Sequence, residues 1–473
     1  MMWTRTFCCV VLATMCACGG AAPATDPAPT QDPQPTPPAP EATQAASYDT
    51  KSPVGVHAAW VLDVLNNREG KVDDAEIKEH FSAQTLQLLP AEQLRSVFVS
   101  LGASFTPLTV SDVTGEKSDQ VALLLESGNP AHKGTKLVML AAVEPNNPAG
   151  KLIMLQFKPP STPADQLAKS WKELKGLMGT AAAHTILSVS EIDPASGACS
   201  PMYSHKSSQS MPLGSSFKLY VLAATADLVQ AGKLAWDKKY PIKDALKSLP
   251  SGSMQNQPAG KMFSIQEYAN AMISVSDNTA TDHLMDIVGR ATIEGMLDST
   301  GNGQRHAKPF LTTQEMFKLK VGPKATRDAY AAGDVSKRRA LLKTLASKPL
   351  PTLKETLTAL KSPRNIRDIE WFASAKDMCG LHAHIVQNAS KPAYAGALEA
   401  MSINSGGLKL DKEAWPYVGF KGGSEPGVLY LSYLVRHKDG RWLSVNLGMA
   451  DEQKAVDESK IPAIVQSVGT LLK

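Results

Sequence analysis

Apolar residues recur at helical spacing where the chain first becomes foldable, with Val56, Trp60, Val61, Val64 and Leu65 on one stripe before a polar break over 66–70. Two further helices are expected, from about Asp74 past Phe81 and from about Ala91 to Leu101. After Pro107 the pattern shortens to β-favouring runs at Val121 to Leu125, Lys136 to Val143 and Lys151 to Phe157, separated by turn-rich segments. Helices followed by a strand meander predict a small α+β domain over 48–160. Pro159, Pro160 and Pro163 then mark a boundary, and a second domain is expected over 165–473. It begins with strands at His184 to Ile192 and Cys199 to Ser207. A strong apolar helix follows from Ser215 to Gln230, carried by Leu219, Leu222, Ala226 and Val229 and closed by Gly232. Helices at Ser264 to Ile273, opened by a Ser264/Glu267 capping box, and at Thr279 to Val288 come next. The end returns to strands at Trp415 to Phe420, Val428 to Arg436 and Trp442 to Met449, the last two joined at Lys438-Asp439-Gly440, before a helix at Ile461 to Leu472. Strands at both ends of a helical middle imply that the two ends pair in one sheet.

Composition leaves this picture standing and adds an N-terminal preface. The 473 residues suffice for two or three globular domains, and 49 basic against 45 acidic residues give no basic surface that would call for nucleic acid. Four of the six cysteines, Cys8, Cys9, Cys16 and Cys18, crowd the start. Arg5, the apolar run Phe7 to Met15 and the small residues around Cys18 resemble a bacterial lipoprotein signal over 1–18, too short to span a bilayer. The resemblance implies a lipid on Cys18, which Gly19 and Gly20 favour over Cys16. Eight prolines between Pro23 and Pro40, with no lysine, arginine or aromatic residue nearby, read as an extended tether over 19–47. Cys199 and Cys379 remain, either as one disulfide or as two separate buried thiols. The ten histidines show no ligand spacing, so neither metal nor other cofactor is expected.

Three short motifs carry chemistry. Ser215-Ser216-Phe217-Lys218 puts a hydroxyl and an amine three residues apart, on one face at the start of the apolar helix. A lysine whose pKa is lowered by burial can take a serine proton, and a helix start offers free N–H groups to an oxyanion. The bland alternative is a capping serine with a surface lysine. Ser276-Asp277-Asn278 falls between two helices, where a hydroxyl relays a proton and an amide fixes a carbonyl, or where all three merely cap the next helix. Ser402-Ile403-Asn404 competes with it but lacks the flanking helices. Lys421-Gly422-Gly423-Ser424 is expected between two strands, its glycines admitting a ligand and its lysine attracting a carboxylate.

In this order the motifs resemble those of the serine β-lactamase and penicillin-binding protein superfamily, class A above all, over about Asp165 to Lys473. The resemblance implies an antiparallel sheet flanked by helices and an acyl-enzyme at Ser215. Lys218 would help deprotonate the nucleophile and Ser276 would shuttle protons. Asn278 would hold the substrate amide, Lys421 would steer a carboxylate, and the N–H groups of Ser215 and Ser424, beside Gly423, would form the oxyanion hole. Asp277 would shape its loop. The first domain is similar in order to an NTF2-like, steroid-isomerase-type cone. That pairing of domains is similar to a subgroup from antibiotic-biosynthesis clusters, some members of which look more like esterases.

The departures bear on turnover. Gly422 stands where the family has Thr or Ser, and the E-x-x-L-N stretch whose glutamate activates the deacylating water is missing. Glu315, Glu355 and Glu370 lie in the right interval without that pattern, and the segment Arg367 to Phe372 reads as core and loop neck. Only 61 residues separate Ser215 from Ser276, whereas 145 separate Ser276 from Lys421, room for a helical insertion around Lys337 to Leu360. The leading expectation is a lipid-anchored, monomeric cell-envelope hydrolase acting on β-lactams or cell-wall peptide-like substrates. A penicillin-binding peptidase or esterase with slow deacylation, and a non-catalytic envelope-binding lipoprotein, are the alternatives.

Overall fold

The computed structural model describes residues 46–472 except 131, 145–146, 148, 159–165, 250 and 305. The signal segment with Cys18, and nearly all of the proline-rich tether, therefore lie outside the described residues. The chain divides into two compact units, the first ending at Ser161 and the second starting at Thr162.

In the first unit, α1 (Pro53–Arg68), α2 (Asp74–His80), α3 (Ala83–Leu88) and α4 (Ala91–Phe105) precede β1 (Leu108–Lys117), β2 (Gln120–Ser127), β3 (Lys136–Val143) and β4 (Leu152–Lys158). The strands form an antiparallel meander in sequence order. Two expectations need correction. The helix expected to run past Phe81 stops at His80, because Phe81 turns to extended geometry and bridges to Leu152 before Ser82 caps α3. On α1 the buried stripe is Val54, Ala58, Val61, Val64 and Leu65, while Val56 is half exposed, an offset that the Ser52 cap and Pro53 set at the helix start. Strand β1 was not expected at all; its Asp, Ser, Gly and Glu residues suppress β propensity, and two bulges in its pairing with β2 blur the alternation.

The second unit opens with α5 (Trp171–Ala181), β5 (His184–Ile192), β6 (Cys199–His205) and the short β7 (Met211–Pro212). A 3₁₀ turn (Gly214–Phe217) leads into α6 (Lys218–Gln230). After β8 (Lys239–Pro241) and β9 (Met262–Ser264) come α7 (Ile265–Ser274), α8 (Asn278–Val288), α9 (Arg290–Ser299), α10 (Thr313–Val321), α11 (Lys324–Ala332), α12 (Val335–Ala346) and α13 (Leu353–Ala359). Strand β10 (Phe372–Ala373), which pairs with β7, precedes α14 (Ala375–Asn388), α15 (Pro392–Ser402), β11 (Tyr417–Glu425), β12 (Val428–Arg436), β13 (Trp442–Ala450) and α16 (Ile461–Leu471). The sheet order is β11-β12-β13-β5-β6, all antiparallel, so the first and last strands of the unit do pair, through β13 and β5. One apolar core lies between this sheet and the helical middle, and a second lies between its other face and the two terminal helices α5 and α16. The helical insertion expected between Ser276 and Lys421 is there, as α11 to α13. The architecture is α+β, an antiparallel sheet flanked by helices.

Cys199 at the start of β6 and Cys379 on α14 are bonded, settling the pairing left open by the sequence. The crosslink closes a 180-residue span and fastens an edge strand to a core helix. Reduction, or Cys379→Ser, is expected to cost about 5 kcal/mol, since the unfolded chain regains the entropy of that long loop. Thermal melting with and without reductant measures it; equal midpoints would reject the estimate.

Candidate active site

The S-x-x-K segment does not start the long helix directly. Ser215 sits in the tight 3₁₀ turn and Lys218 is the first residue of α6. The capping alternative fails on both counts, because Ser215 makes no side-chain cap and the Lys218 side chain has no solvent exposure. An unpaired buried ammonium is costly, and this lysine answers with three bonds from Nζ, to the Ser276 carbonyl (2.7 Å), to Ser276 Oγ (3.1 Å) and to Asn278 Oδ1 (2.7 Å). Burial still dominates and brings its pKa down to about 7, with Asp277 and Asp282 pulling it partly back. Lys421, also buried, donates from Nζ to Ser276 Oγ at 3.1 Å, and burial together with the Lys218 charge holds it well below the ordinary lysine range. One hydroxyl thus bridges two amines that cannot both be charged at low cost.

Ser276 reaches that position through a left-handed backbone conformation, φ +59°, unusual outside glycine. Its carbonyl is held by Lys218 and by Ser251 Oγ at 2.5 Å. Asp277, fully buried, accepts from the N–H groups of Ser253 and Met254 through Oδ2 and caps α8 at Ala280 through Oδ1. The loop-shaping role and the capping role coincide in this one carboxylate. Asn278 engages both ends of its amide inside the protein, Oδ1 on Lys218 and Nδ2 on the Leu249 carbonyl, which leaves the second Nδ2 N–H and one lone pair of Oδ1 for a ligand. Ser402-Ile403-Asn404 ends α15, and Asn404 Nδ2 only braces the Ser274 carbonyl.

The K-G-G-S element lies within β11 rather than between strands. Alternation then puts Lys421 and Gly423 on one face and Gly422 and Ser424 on the other. A Cβ on Gly423 would stand 2.1 Å from the Leu213 carbonyl oxygen and 2.3 Å from the Ser215 nitrogen. A Cβ on Gly214, which has φ +48°, would stand 2.8 Å from the Ser424 nitrogen. Two glycines therefore let strand and turn touch backbone to backbone, bringing the N–H groups of Ser215 and Ser424 to one place. Ser215 N–H belongs to the first turn of a helical segment, where no intrahelical acceptor exists. The absent hydroxyl at Gly422 also has a packing reason, since a Cβ there would meet the Phe420 ring at 2.8 Å.

The structure brings Lys218, Ser276, Asn278 and Lys421 into one hydrogen-bonded cluster and Ser215, Gly423 and Ser424 into one backbone contact. It does not bond Ser215 Oγ to either lysine; that hydroxyl is half buried, with no hydrogen-bond partner among the described residues. The two groups are linked by one helical turn and by two residues of β11. Of the three glutamates in the interval, Glu315 caps α10 and pairs with Arg290, Glu355 is exposed in the α13 capping box, and Glu370 is buried against Lys320. None joins the cluster.

Three contributors were not anticipated. Ser216, fully buried, sets its Oγ within 3.1 and 3.2 Å of the Lys421 and Tyr430 carbonyls and pins the turn that carries Ser215 to the sheet. Asp282 is buried below Lys218, accepts from the N–H groups of Thr313 and Gln314, and has its pKa pushed up to about 7 by burial. Ser251 has no marker beyond being a polar loop residue. The four-residue spacing of Asn278 and Asp282 on α8 was a usable signal for the second; for the others there was none. His382 lies in a buried network with Ser432 and Ser444, and His384 bonds Asp227 and Tyr394. Among the described residues no group of three or more His, Cys, Asp or Glu converges to hold a metal, and no helix is long and apolar enough to cross a membrane.

Residues 169–408 match the model of a family described as a beta-lactamase enzyme family. Residues 50–132 match one described as the N-terminal part of the ORF 12 gene product. Among solved structures the chain is similar to a PBP-A variant captured as an acyl-enzyme with penicillin G, at 17% identity and TM-score 0.42, covering 67% of this chain and 99% of that one. It is similar to a beta-lactamase from Sphaerobacter thermophilus (16% identity, TM-score 0.44, 64% of this chain and 96% of that one). Another beta-lactamase, from Chitinophaga pinensis, gives 19% identity and TM-score 0.43, with 64% and 97% covered. No curated protein gives a match.

Proposed function

Because the chain belongs to the beta-lactamase enzyme family, we propose that it is a serine hydrolase acylated at Ser215, opening β-lactam rings by acyl transfer. The observation that carries this reading is the pair of buried amines meeting at Ser276 Oγ, with Lys218 one helical turn from Ser215, whose hydroxyl has no hydrogen-bond partner among the described residues. In the neutral amine form Lys218 keeps two N–H donors and gains a lone pair, which takes the Ser215 proton as the substrate carbonyl closes the gap. The tetrahedral oxyanion is held by the N–H groups of Ser215 and Ser424. The proton taken by Lys218 then passes through Ser276 Oγ to the leaving nitrogen, which leaves Ser276 a hydroxyl and Lys218 an amine again, while Lys421 holds the Ser276 Oγ and faces the substrate's carboxylate. A lipid on Cys18 and the proline-rich tether would keep this chemistry at the cell envelope.

A second reading, a peptidase or esterase whose acyl-enzyme lasts, is favoured by the occupation of Glu315, Glu355 and Glu370 elsewhere. A single experiment separates the two. The protein is incubated with a reporter penicillin and a chromogenic cephalosporin while intact mass and hydrolysis are followed together. Rapid hydrolysis with a transient adduct supports the first reading, and a persistent adduct supports the second. No adduct, or an equal one on Ser215→Ala, would remove Ser215 as the nucleophile.

A further inference from the structure

A second buried charge cluster lies outside the chemistry assigned so far. Lys320, on α10 and without solvent exposure, donates from Nζ to Glu370 at 2.9 Å and also to Glu425. The two carboxylates belong to different parts of the chain, and each is one residue from a part of the site. Glu425 ends β11 directly after Ser424. Glu370 precedes Trp371, whose carbonyl accepts from Leu213 N–H at 2.8 Å, two residues before Ser215. The Trp371 ring also stacks on Phe217 within the nucleophile's turn, with centroids 3.6 Å apart.

We propose that Lys320 is a positioning residue for the oxyanion hole, tying the Ser424 N–H to the Ser215 N–H through Glu425 on one side and Glu370, Trp371 and Leu213 on the other. The proposal rests on the acyl-transfer reading above. Its physical basis is that the two backbone segments only touch at the glycine contact, the Ser216 Oγ bond to the Lys421 carbonyl joining them three residues before Ser424, so the position of the Ser424 N–H needs a second tie. A donor displaced by about 1 Å forfeits on the order of a hundredfold in rate. An ammonium with two partners is a rigid link because breaking either contact leaves a buried charge uncompensated.

The cluster also carries one carboxylate too many. Burial raises Glu425 well above the ordinary carboxylate range, Lys320 opposes this and Glu370 adds to it. Burial lowers the Lys320 ammonium while the two carboxylates together hold it above its ordinary value. The next charges are Arg364, whose Nη1 donates to the Lys320 carbonyl at 3.3 Å, and Arg327 of α11, bonded to Asn365 and the Gly322 carbonyl. Glu425 is therefore the member of the cluster that holds a proton to higher pH than an ordinary carboxylate. As pH rises through the raised Glu425 value, the acid ionises and the link loosens.

The test uses the whole protein and two readouts: the rate of Ser215 labelling by a reporter penicillin from acid to alkaline pH, and amide hydrogen exchange of segments 213–217 and 422–426. Lys320→Met is expected to slow labelling about 10- to 100-fold, with the half-saturating probe concentration unchanged, and to quicken exchange in both segments. Glu425→Gln, neutral at every pH, is expected to abolish the alkaline fall in labelling that the wild type shows. Wild-type exchange in both segments of Lys320→Met, or an alkaline fall retained in Glu425→Gln, would overturn the proposal. Failure of the acyl-transfer reading looks different, as wild type and Ser215→Ala would then label alike, and the exchange readout would still decide whether Lys320 braces the two segments.

Discussion

Lys218→Ala is expected to slow Ser215 acylation by about 10²- to 10⁴-fold, the usual contribution of a positioned general base. The residue is the first of α6, so its backbone is fixed by the helix and its side chain by three acceptors. Acylation in the wild type should rise as pH passes about 7, because burial lowers the ammonium to that value and only the amine form has a lone pair. The sign follows directly: below about 7 Lys218 is protonated and idle as a base, and above it the rate climbs until ionisation of Glu425 turns it down. An unshifted lysine would place that rise near pH ~10. Lys218→Arg separates base from charge, since it keeps a cation and cannot release its proton at these pH values. It should be as slow as the alanine variant. The alanine variant leaves Asn278 Oδ1 without its donor and the arginine variant must fit a larger buried cation, so the folded fraction of both must be checked by melting. Wild-type acylation kinetics in either variant, or a rise centred near 10 in the wild type, would reject Lys218 as the base.

Gly423→Ala is expected to do more damage per atom than any other change in the site. The added methyl would meet three backbone atoms, the Leu213 oxygen at 2.1 Å, the Ser215 nitrogen at 2.3 Å and the Gly214 carbonyl carbon at 2.6 Å. No rotamer change relieves a clash with backbone, so β11 and the nucleophile's turn must separate. Overpacking of this kind costs about 3 kcal/mol of stability. Loss of one oxyanion donor adds a rate penalty of about 10²- to 10³-fold. Gly422→Ala is the internal comparison, because its methyl would meet the outer edge of the Phe420 ring, which can turn aside. The 423 variant should melt earlier and acylate far more slowly than the 422 variant. Equal melting and equal rates would show that the backbone contact does not set the hole.

Much of the second unit was legible from local pattern. Strands β5, β12 and β13, the long helix α6 and the capping box of α7 follow from alternation, helical spacing and side-chain caps, all decided within a few residues. The motif order placed Ser215, Lys218, Ser276, Asn278 and Lys421 as candidates, because each motif needs only neighbours along the chain to be recognised. Strand β1 escaped because its stability comes from pairing with β2 across two bulges. The left-handed Ser276 escaped because it has no local signature, and for Asp282 the spacing from Asn278 marks its helix face but not its burial, which comes from packing against α10.

The sequence by itself determined most strands and core helices of the second unit and the residue types on which the candidate site draws. Tertiary structure alone decided that Lys218 is buried rather than a surface lysine, that Cys199 meets Cys379, and that Gly423 lies against Ser215. It also decided that Lys320 joins Glu370 to Glu425. The reason is common to all four. Burial and contact between residues far apart along the chain are set by how sheet and helices close on one another, and a lysine's pKa or a glycine's necessity exists only after that closure.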